Sequence, residues 1–193
     1  VMHIHVGEGK GALMPLLKLL QDSDLPMEMF VPTHINRNRH LFQQAVEYAL
    51  GGGYVDLTAG EDPGVGYNVP DALTLLLQNG VDIRKITISS DANGSVPAKE
   101  ESGLGVGKMS WLLDDVKACV LDKGIGIDKV IRAVSANVAG VLRLYPRKGV
   151  LSEGSDADIL VFDKKDMSID TMLVKGEVVV RDRRIIKKGR YEV

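Results

Sequence analysis

The sequence has 193 residues, of which 45% are hydrophobic and 26% are charged, with a formal net charge of -2. This is the balance of an ordinary globular protein, and without a long run of either charge it argues against nucleic acid or a membrane as partner. Cys119 is the only cysteine, so no disulfide forms within the chain, and a cytoplasmic location fits this composition.

The first part of the chain alternates short apolar runs with amphipathic stretches. Leu13, Leu16, Leu17 and Leu20 have the i, i+3, i+4, i+7 spacing of a helix with one buried face. The pattern predicts strands at residues 2–6, 27–31, 54–58 and 83–89, and helices at residues 13–20, 41–50, 71–78, 110–121 and 127–142. The predicted strands start roughly 25–30 residues apart, which is the period of a (β/α) barrel unit.

The pattern changes after Pro146. Short apolar runs divided by Gly, Asp and Lys turns predict antiparallel strands at residues 150–152, 158–162, 171–174 and 177–181. We therefore expect two domains, an α/β part at residues 1–145 and a small β unit at residues 146–193.

Four parallel strands are too few to close a barrel, which needs eight strands and about 250 residues. One alternative is an open, doubly wound sheet, and the other is the second half of a longer (β/α)8 barrel. Because the first residues already have the pattern of a strand, we favour the second alternative and expect the preceding strands to lie upstream of Val1.

Three residues suited to metal binding stand at the ends of predicted strands. His5, His34 and Asp91 each follow a short apolar run, and parallel βα units place such strand ends on one rim. Two imidazoles and one carboxylate at one rim are typical of a hydrolytic metal site. The alternative is that each histidine only forms hydrogen bonds in a loop.

His3 and His5 form a His-x-His pair on one predicted strand, so both rings point to the same face. The pair is either a two-ligand clamp or one ligand with a neighbour that does not reach the rim. We rank His5 as the ligand and His3 as a core histidine or one that supports a ligand. His40 opens a predicted helix and is expected at the surface.

Two further groups near these strand ends are candidates for substrate binding. Arg37 follows His34 by three residues, and its planar guanidinium suits a carboxylate, although a solvated loop arginine is the alternative. Residues 89–95 surround Asp91 with small hydrogen-bonding side chains, and their alternative interpretation is a turn.

Several segments together resemble the metal-dependent amidohydrolases, and among them the isoaspartyl dipeptidases. The matching segments are HVGE at 5–8, LMPL at 13–16, PTHINRN at 32–38 and SSDANGS at 89–95, with the more widely shared ADILV at 157–161. The resemblance implies an α/β fold, the second half of a (β/α)8 TIM-like metallo-hydrolase barrel followed by C-terminal strands of a small β-sandwich domain.

The resemblance also implies a two-zinc site that hydrolyses β-aspartyl dipeptides. By position, His5 and His34 would bind one zinc, and Asp91 would bind the other and act as general base and then acid. Arg37 and Ser95 match substrate-binding positions, with Arg37 expected to hold a carboxylate. In this family a metal-bound hydroxide attacks the isopeptide carbonyl.

The family's other metal ligands would lie upstream of Val1, so the two zinc sites would be completed by residues outside this chain. We therefore expect little or no peptidase activity from the chain alone, and the family resemblance suggests homo-oligomers. The alternatives are another amidohydrolase, such as a dihydroorotase or an N-acyl amino acid deacylase, and a scaffold without catalytic activity.

Overall fold

Two pairs of parallel strands position the candidate site. The computed structural model describes residues 1–61, 63–97 and 104–189. Strand β1 (Met2–His5) pairs with β2 (Phe30–Thr33), and β3 (Val55–Thr58) pairs with β4 (Ile86–Ser89). Both pairings are parallel, so the carboxyl ends of the strands within each pair lie at the same edge.

A side chain helps to join the two strand pairs. Between β2 and β3, the Ile35 amide donates to the Asp56 carbonyl at 3.4 Å. The side chain of the buried Asn36 then accepts from Thr58 N at 2.8 Å and donates to Thr58 O at 3.0 Å. The Asn36 amide thus bonds both backbone polar groups of Thr58, as a neighbouring strand would, and it fixes the loop that follows β2.

In the described part of the chain, six α-helices follow or flank these strands. They are α1 (Met14–Gln21), α2 (Arg39–Leu50), α3 (Val69–Gln78), α4 (Ser110–Leu121), α5 (Ile127–Val134) and α6 (Ala136–Val141). Helix α2 begins before its predicted start because the Asn38 side chain accepts from Leu41 N at 2.8 Å and caps it. Asn68 caps α3 in the same way through Asp71 N.

The prediction of one helix at residues 127–142 is wrong. The chain leaves the helical conformation at Ser135, whose φ and ψ are -137° and -79°. Helix α6 then starts at Ala136, and Asn137 donates to Ile83 O at 2.7 Å and to Ile86 O at 2.8 Å. Asn137 thus satisfies the carbonyls of Ile83 and of Ile86, the first residue of β4, a tertiary gain that local periodicity does not reveal.

Two predicted strands begin later than expected. Met27–Met29 and Ile83–Lys85 each form a single 3-10 turn before β2 and β4. At the second turn, the Asp82 side chain accepts from Arg84 N at 2.9 Å. Short apolar runs do not distinguish such turns from strands. The sequence therefore predicted both strands but placed the start of each three residues too early.

The hydrophobic core lies between the strands and the helices. Tyr48 of α2 is 2% exposed, and its hydroxyl donates to Met27 O at 3.0 Å, which satisfies the polar end of a buried ring. Cys119 of α4 is fully buried and packs in this core. The buried side chains of this core come from both strands and helices and include Leu13, Phe30, Leu41, Val55, Leu73, Ile86, Val116 and Val130.

The last part of the described chain is an antiparallel sheet. Its strands, in the order β10-β9-β8-β7, are β7 (Ile159–Phe162), β8 (Ile169–Val174), β9 (Glu177–Arg181) and β10 (Arg184–Ile185). The predicted strand at residues 150–152 is wrong, because the turns around Gly149 and Gly154, both with positive φ, leave no extended run there. The domain boundary after residue 145 stays a prediction, and residues 190–193 lie outside the described chain.

A short antiparallel pair of strands lies between β4 and α4 in the chain. Strands β5 (Ser95–Pro97) and β6 (Leu104–Val106) pair antiparallel, and sequence analysis missed both. Within the described residues, no helix is long and apolar enough to cross a membrane.

Candidate metal centre

The three residues predicted to bind metal lie together. His5, His34 and Asp91 follow or end β1, β2 and β4, and one potential ligand atom from each lies within 4.8 Å of the others. His5 Nδ1 is 2.9 Å from His34 Nε2, and His34 Nε2 is 3.9 Å from Asp91 Oδ2. The structure brings the predicted set to one place, and metal binding by it stays a prediction.

Two of these residues have a left-handed backbone conformation. The φ angles of His34 and Asp91 are 63° and 45°, a region uncommon for residues other than glycine. Each such residue costs roughly 1–3 kcal/mol, and such strain concentrates at functional sites. At Asp91 the turn is held by the loop backbone, since Gly94 N donates to Asp91 O at 2.9 Å. The chain turns sharply at the strand end, where the carboxylate can face the histidines.

The donor set fits a zinc ion. Imidazole nitrogens bound to one tetrahedral zinc at about 2.0–2.1 Å would lie about 3.3 Å apart, so the 2.9 Å between His5 and His34 needs only a small adjustment. His34 is 3% exposed, and its Nδ1 is 2.9 Å from Thr58 Oγ1. This contact leaves Nε2 directed toward His5 and Asp91, as a metal ligand requires.

Arg37 lies beside this cluster and is paired with Glu61. The Arg37 Nε donates to Glu61 Oε1 at 3.0 Å, and Nη2 is also 3.0 Å from that oxygen. Glu61 Oε1 is in turn 3.6 Å from His34 Nδ1. Burial raises the pKa of Glu61, but His34 and Arg37 outweigh this effect, so the pKa lies below its usual value.

Sequence analysis missed Glu61. It singled out the arginine after His34 but named no candidate residue in the segment after β3. A signal was present, because Glu61 follows the end of β3 by three residues, as Arg37 follows His34 by three. Carboxyl ends of neighbouring parallel strands share a rim, so an acidic side chain there was a candidate.

Ser95, the other predicted substrate-binding residue, lies in the strand pair that follows Asp91. It is the first residue of β5, pairs with Val106 of β6 and is exposed. The hairpin starts four residues after Asp91, and Gly107 N donates to Gly94 O at 2.9 Å at its base. Its role in substrate binding stays a prediction.

Sequence analysis also missed Asp56, a buried carboxylate of β3 beside the candidate site. This carboxylate of β3 is 2% exposed and accepts hydrogen bonds from the hydroxyls of Thr33, Thr87 and Ser89, each at 2.6 Å. The alternation in Val55–Thr58 places Asp56 and Thr58 on the same face as the site, and this signal could have revealed it.

His3 lies on that face but not in the core. Its side chain is 45% exposed, and its Nε2 is 3.8 Å from Asp56 Oδ2. Asp56, as hydrogen-bond partner, raises the pKa of His3 above its usual value despite partial burial. The expectation of a core position is therefore wrong, whereas a supporting position beside the site agrees with this contact. His40 is exposed on α2, as expected.

The loop that carries Glu61 is anchored at two points. Gly60 N donates to Asp115 Oδ2 at 3.0 Å, and Trp111 packs so closely that a Cβ on Gly60 would lie 2.4 Å from its ring. Burial raises the pKa of Asp115, and the neighbouring Asp114 adds to this effect. Farther along, Tyr67 N donates to Asn36 O at 2.9 Å. The loops after β2 and β3 are thus fixed against each other.

Comparison with known proteins gives a match to one family model and to several solved structures. The model described as the amidohydrolase family matches residues 66–179, more than half of the chain. The D-hydantoinase of Geobacillus stearothermophilus is 28% identical over a region covering 35% of this chain and 19% of that protein.

Two solved structures of beta-aspartyl dipeptidase from Fervidobacterium islandicum AW-1 are similar to this chain. The complex with beta-Asp-Leu dipeptide is 33% identical, has a TM-score of 0.85, and is matched over 97% of this chain and 49% of its own length. The other structure is 29% identical, with a TM-score of 0.82, and is matched over 100% of this chain and 48% of its own length. The chain spans about half the length of these structures.

Proposed function

The chain belongs to the amidohydrolase family, and on that premise we propose that it provides part of a zinc site for the hydrolysis of β-aspartyl dipeptides. The observation that carries this proposal is the placement of Arg37 beside the cluster of His5, His34 and Asp91, with Glu61 between Arg37 and His34. A guanidinium next to a hydrolytic donor set suits a substrate that carries a free carboxylate near its scissile bond.

His5, His34 and Asp91 would hold the metal. When bound, zinc would act as a Lewis acid on the scissile carbonyl and lower the pKa of the attacking water. The number of ions is part of the proposal, and two are expected once ligands from outside this chain complete the site.

The chain's own residues would orient the substrate and move a proton. Arg37 binds a carboxylate of the dipeptide through its planar donors, and Ser95 adds a hydrogen bond from the hairpin after β4. Asp91 takes the proton of the attacking water and passes it to the leaving amine. The water oxygen first forms the new C–O bond with the carbonyl carbon, and the amide C–N bond breaks when the amine receives the proton, so the products are aspartate and the second amino acid.

Zinc and dipeptide binding test the proposal without relying on turnover. We expect one zinc per chain to bind at His5, His34 and Asp91, and His34→Asn to abolish that binding, as measured by calorimetry. His40→Asn is the matched control, because His40 is exposed and its ring contacts Gln44 on α2. Zinc binding that is identical in all three proteins would contradict the proposal.

A second candidate function is hydrolysis of a cyclic amide. The match to D-hydantoinase favours it, since that relative is also similar in sequence. Binding of β-Asp-Leu and of hydantoin to the zinc-loaded chain discriminates the two. The dipeptide should bind more tightly and lose its affinity in Arg37→Gln, whereas preferred binding of hydantoin would favour the cyclic amide.

A further inference from the structure

Glu61 lies between the two groups to which the proposed function assigns different tasks. We propose that Glu61 is a positioning residue, which ties the Arg37 guanidinium to the His34 imidazole and so couples the carboxylate-binding group to the metal-binding group. The inference rests on the proposed function, because Arg37 and His34 take these tasks from it.

The contact with Arg37 fixes one edge of the guanidinium. A single oxygen, Glu61 Oε1, lies 3.0 Å from both Nε and Nη2. Both side chains are largely buried, with exposed fractions of 24% for Arg37 and 17% for Glu61. The edge formed by Nη1 and Nη2 remains for a second carboxylate, and the described residues supply none there. A ligand carboxylate can therefore bind Arg37 while Glu61 holds its orientation.

The contact with His34 favours one tautomer of the His34 imidazole, the one that is protonated at Nδ1. Thr58 Oγ1 at 2.9 Å and Glu61 Oε1 at 3.6 Å both face His34 Nδ1, and a carboxylate there favours a proton on that nitrogen. The lone pair of Nε2 is then directed toward His5 and Asp91. Groups that accept the other ring N–H of a metal-binding histidine typically change metal affinity by 10–100-fold when they are replaced, and Glu61 lies next to the Thr58 hydroxyl that occupies this position.

The loop backbone determines where Glu61 sits. Asp115 accepts from Gly60 N, and Trp111 packs against Gly60, which has a positive φ of 77°. On the other side, a Cβ on Gly66 would lie 2.1 Å from Asn36 O and 2.5 Å from the Arg37 backbone, so the two loops are in direct contact. The loop backbone is thus in contact with its neighbours on both sides of Glu61, and the Glu61 side chain is only 17% exposed.

An exposed ion pair elsewhere in the chain offers a matched control. Arg84 and Asp82 form a carboxylate–guanidinium contact at 2.5 Å, but both are exposed and neither contacts the candidate site. Asp82→Asn removes the same type of charge while it keeps a side chain able to accept from Arg84 N. The variants to compare in the full chain are therefore Glu61→Ala, Glu61→Gln and Asp82→Asn.

The first measurement needs no ligand. We expect the Arg37 Nε–H and the His34 Nδ1–H to be protected from solvent exchange in nitrogen-15 NMR spectra of the wild type. In Glu61→Ala the Arg37 Nε–H should exchange at least about tenfold faster because its acceptor is gone. The His34 Nδ1–H keeps Thr58 Oγ1 at 2.9 Å, so its exchange should rise by a smaller factor. Glu61→Gln keeps an acceptor oxygen and should restore part of the protection, and Asp82→Asn should match the wild type.

The second measurement is binding of zinc, and of β-Asp-Leu to the zinc-loaded chain, by calorimetry. Glu61→Ala should weaken zinc binding by about tenfold or more, with Glu61→Gln between it and the wild type. Dipeptide affinity should fall in the same order. A rise in dipeptide affinity in Glu61→Gln would overturn the inference, because Glu61 would then compete with the ligand for Arg37.

The outcomes separate this inference from the proposed function. If the wild type binds zinc and dipeptide but Glu61→Ala keeps affinities and exchange rates within about twofold, the inference fails and the proposed function stands. If the wild type binds neither ligand, the proposed function fails, and the exchange rates alone decide the role of Glu61. Loss of protection in Glu61→Ala then supports it, and unchanged protection overturns it.

Discussion

At the scale of the residue, the buried carboxylate of Asp56 makes a testable contribution to stability. Three hydroxyls donate to it, and Asp56→Ala would leave them facing an apolar gap. We expect this change to lower the free energy of unfolding by about 3 kcal/mol, as measured by urea denaturation. Asp56→Asn should cost less because it keeps one acceptor oxygen, and a loss for Asp56→Ala below about 1 kcal/mol would contradict this account.

The thiol of Cys119 is expected to be unreactive. It is fully buried, and burial, together with the nearby Asp115, raises its pKa to about 12. At neutral pH the thiolate that reacts with disulfide reagents is therefore nearly absent in the folded chain. Labelling with such a reagent should be more than about a hundredfold slower in the native state than in urea. Equal rates in both states would show that Cys119 is accessible.

At the scale of the element, the Asn36 side chain joins β2 to β3. Its contribution can be compared with that of Asn38, whose side chain only caps α2. Asn36→Ala would leave both the N–H and the C=O of Thr58 without their partner, at an expected cost of about 2–3 kcal/mol. Because His34 and Arg37 lie beside Asn36, zinc affinity should also fall. Asn38→Ala removes only the cap of α2, costs about 1 kcal/mol and should leave zinc affinity unchanged. Equal zinc affinity in the two variants would contradict this role.

The elements also show what the sequence could predict. The α/β fold of amidohydrolase type is confirmed, and helix α4 begins and ends where periodicity placed it. Periodicity succeeds there because one face of α4 packs on the core. It failed at Ser135, where the break serves two carbonyls of another segment, and at β5 and β6, which are too short for a pattern.

For the site, strand ends were the informative feature. Placing His5, His34 and Asp91 there predicted their convergence, since carboxyl ends of parallel strands share a rim. Glu61 and Asp56 were not predicted although their positions in and after β3 carried a signal, because the contacts that give them a role are made by residues distant in sequence. Glu61 meets an arginine 24 residues away, and Asp56 meets hydroxyls 23 to 33 residues away.

At the scale of the whole molecule, zinc should stabilise the fold. The three donors come from β1, β2 and β4, so an ion bound by them would link both strand pairs. At a free zinc concentration of about 100 times Kd, the free energy of unfolding should rise by about 2.7 kcal/mol. Thermal unfolding with and without zinc measures this increment. It should vanish in His34→Asn and persist in His40→Asn, whereas an increment in His34→Asn equal to that of the wild type would contradict the account.

The position of a bound metal tests the central claim most directly. Crystals grown with zinc should show an anomalous scattering peak at the absorption edge, about 2.0–2.2 Å from nitrogens of His5 and His34 and from a carboxylate oxygen of Asp91. A peak bounded by these three residues is the result that the account predicts. Zinc bound elsewhere on the chain, with His5, His34 and Asp91 free of it, would contradict it.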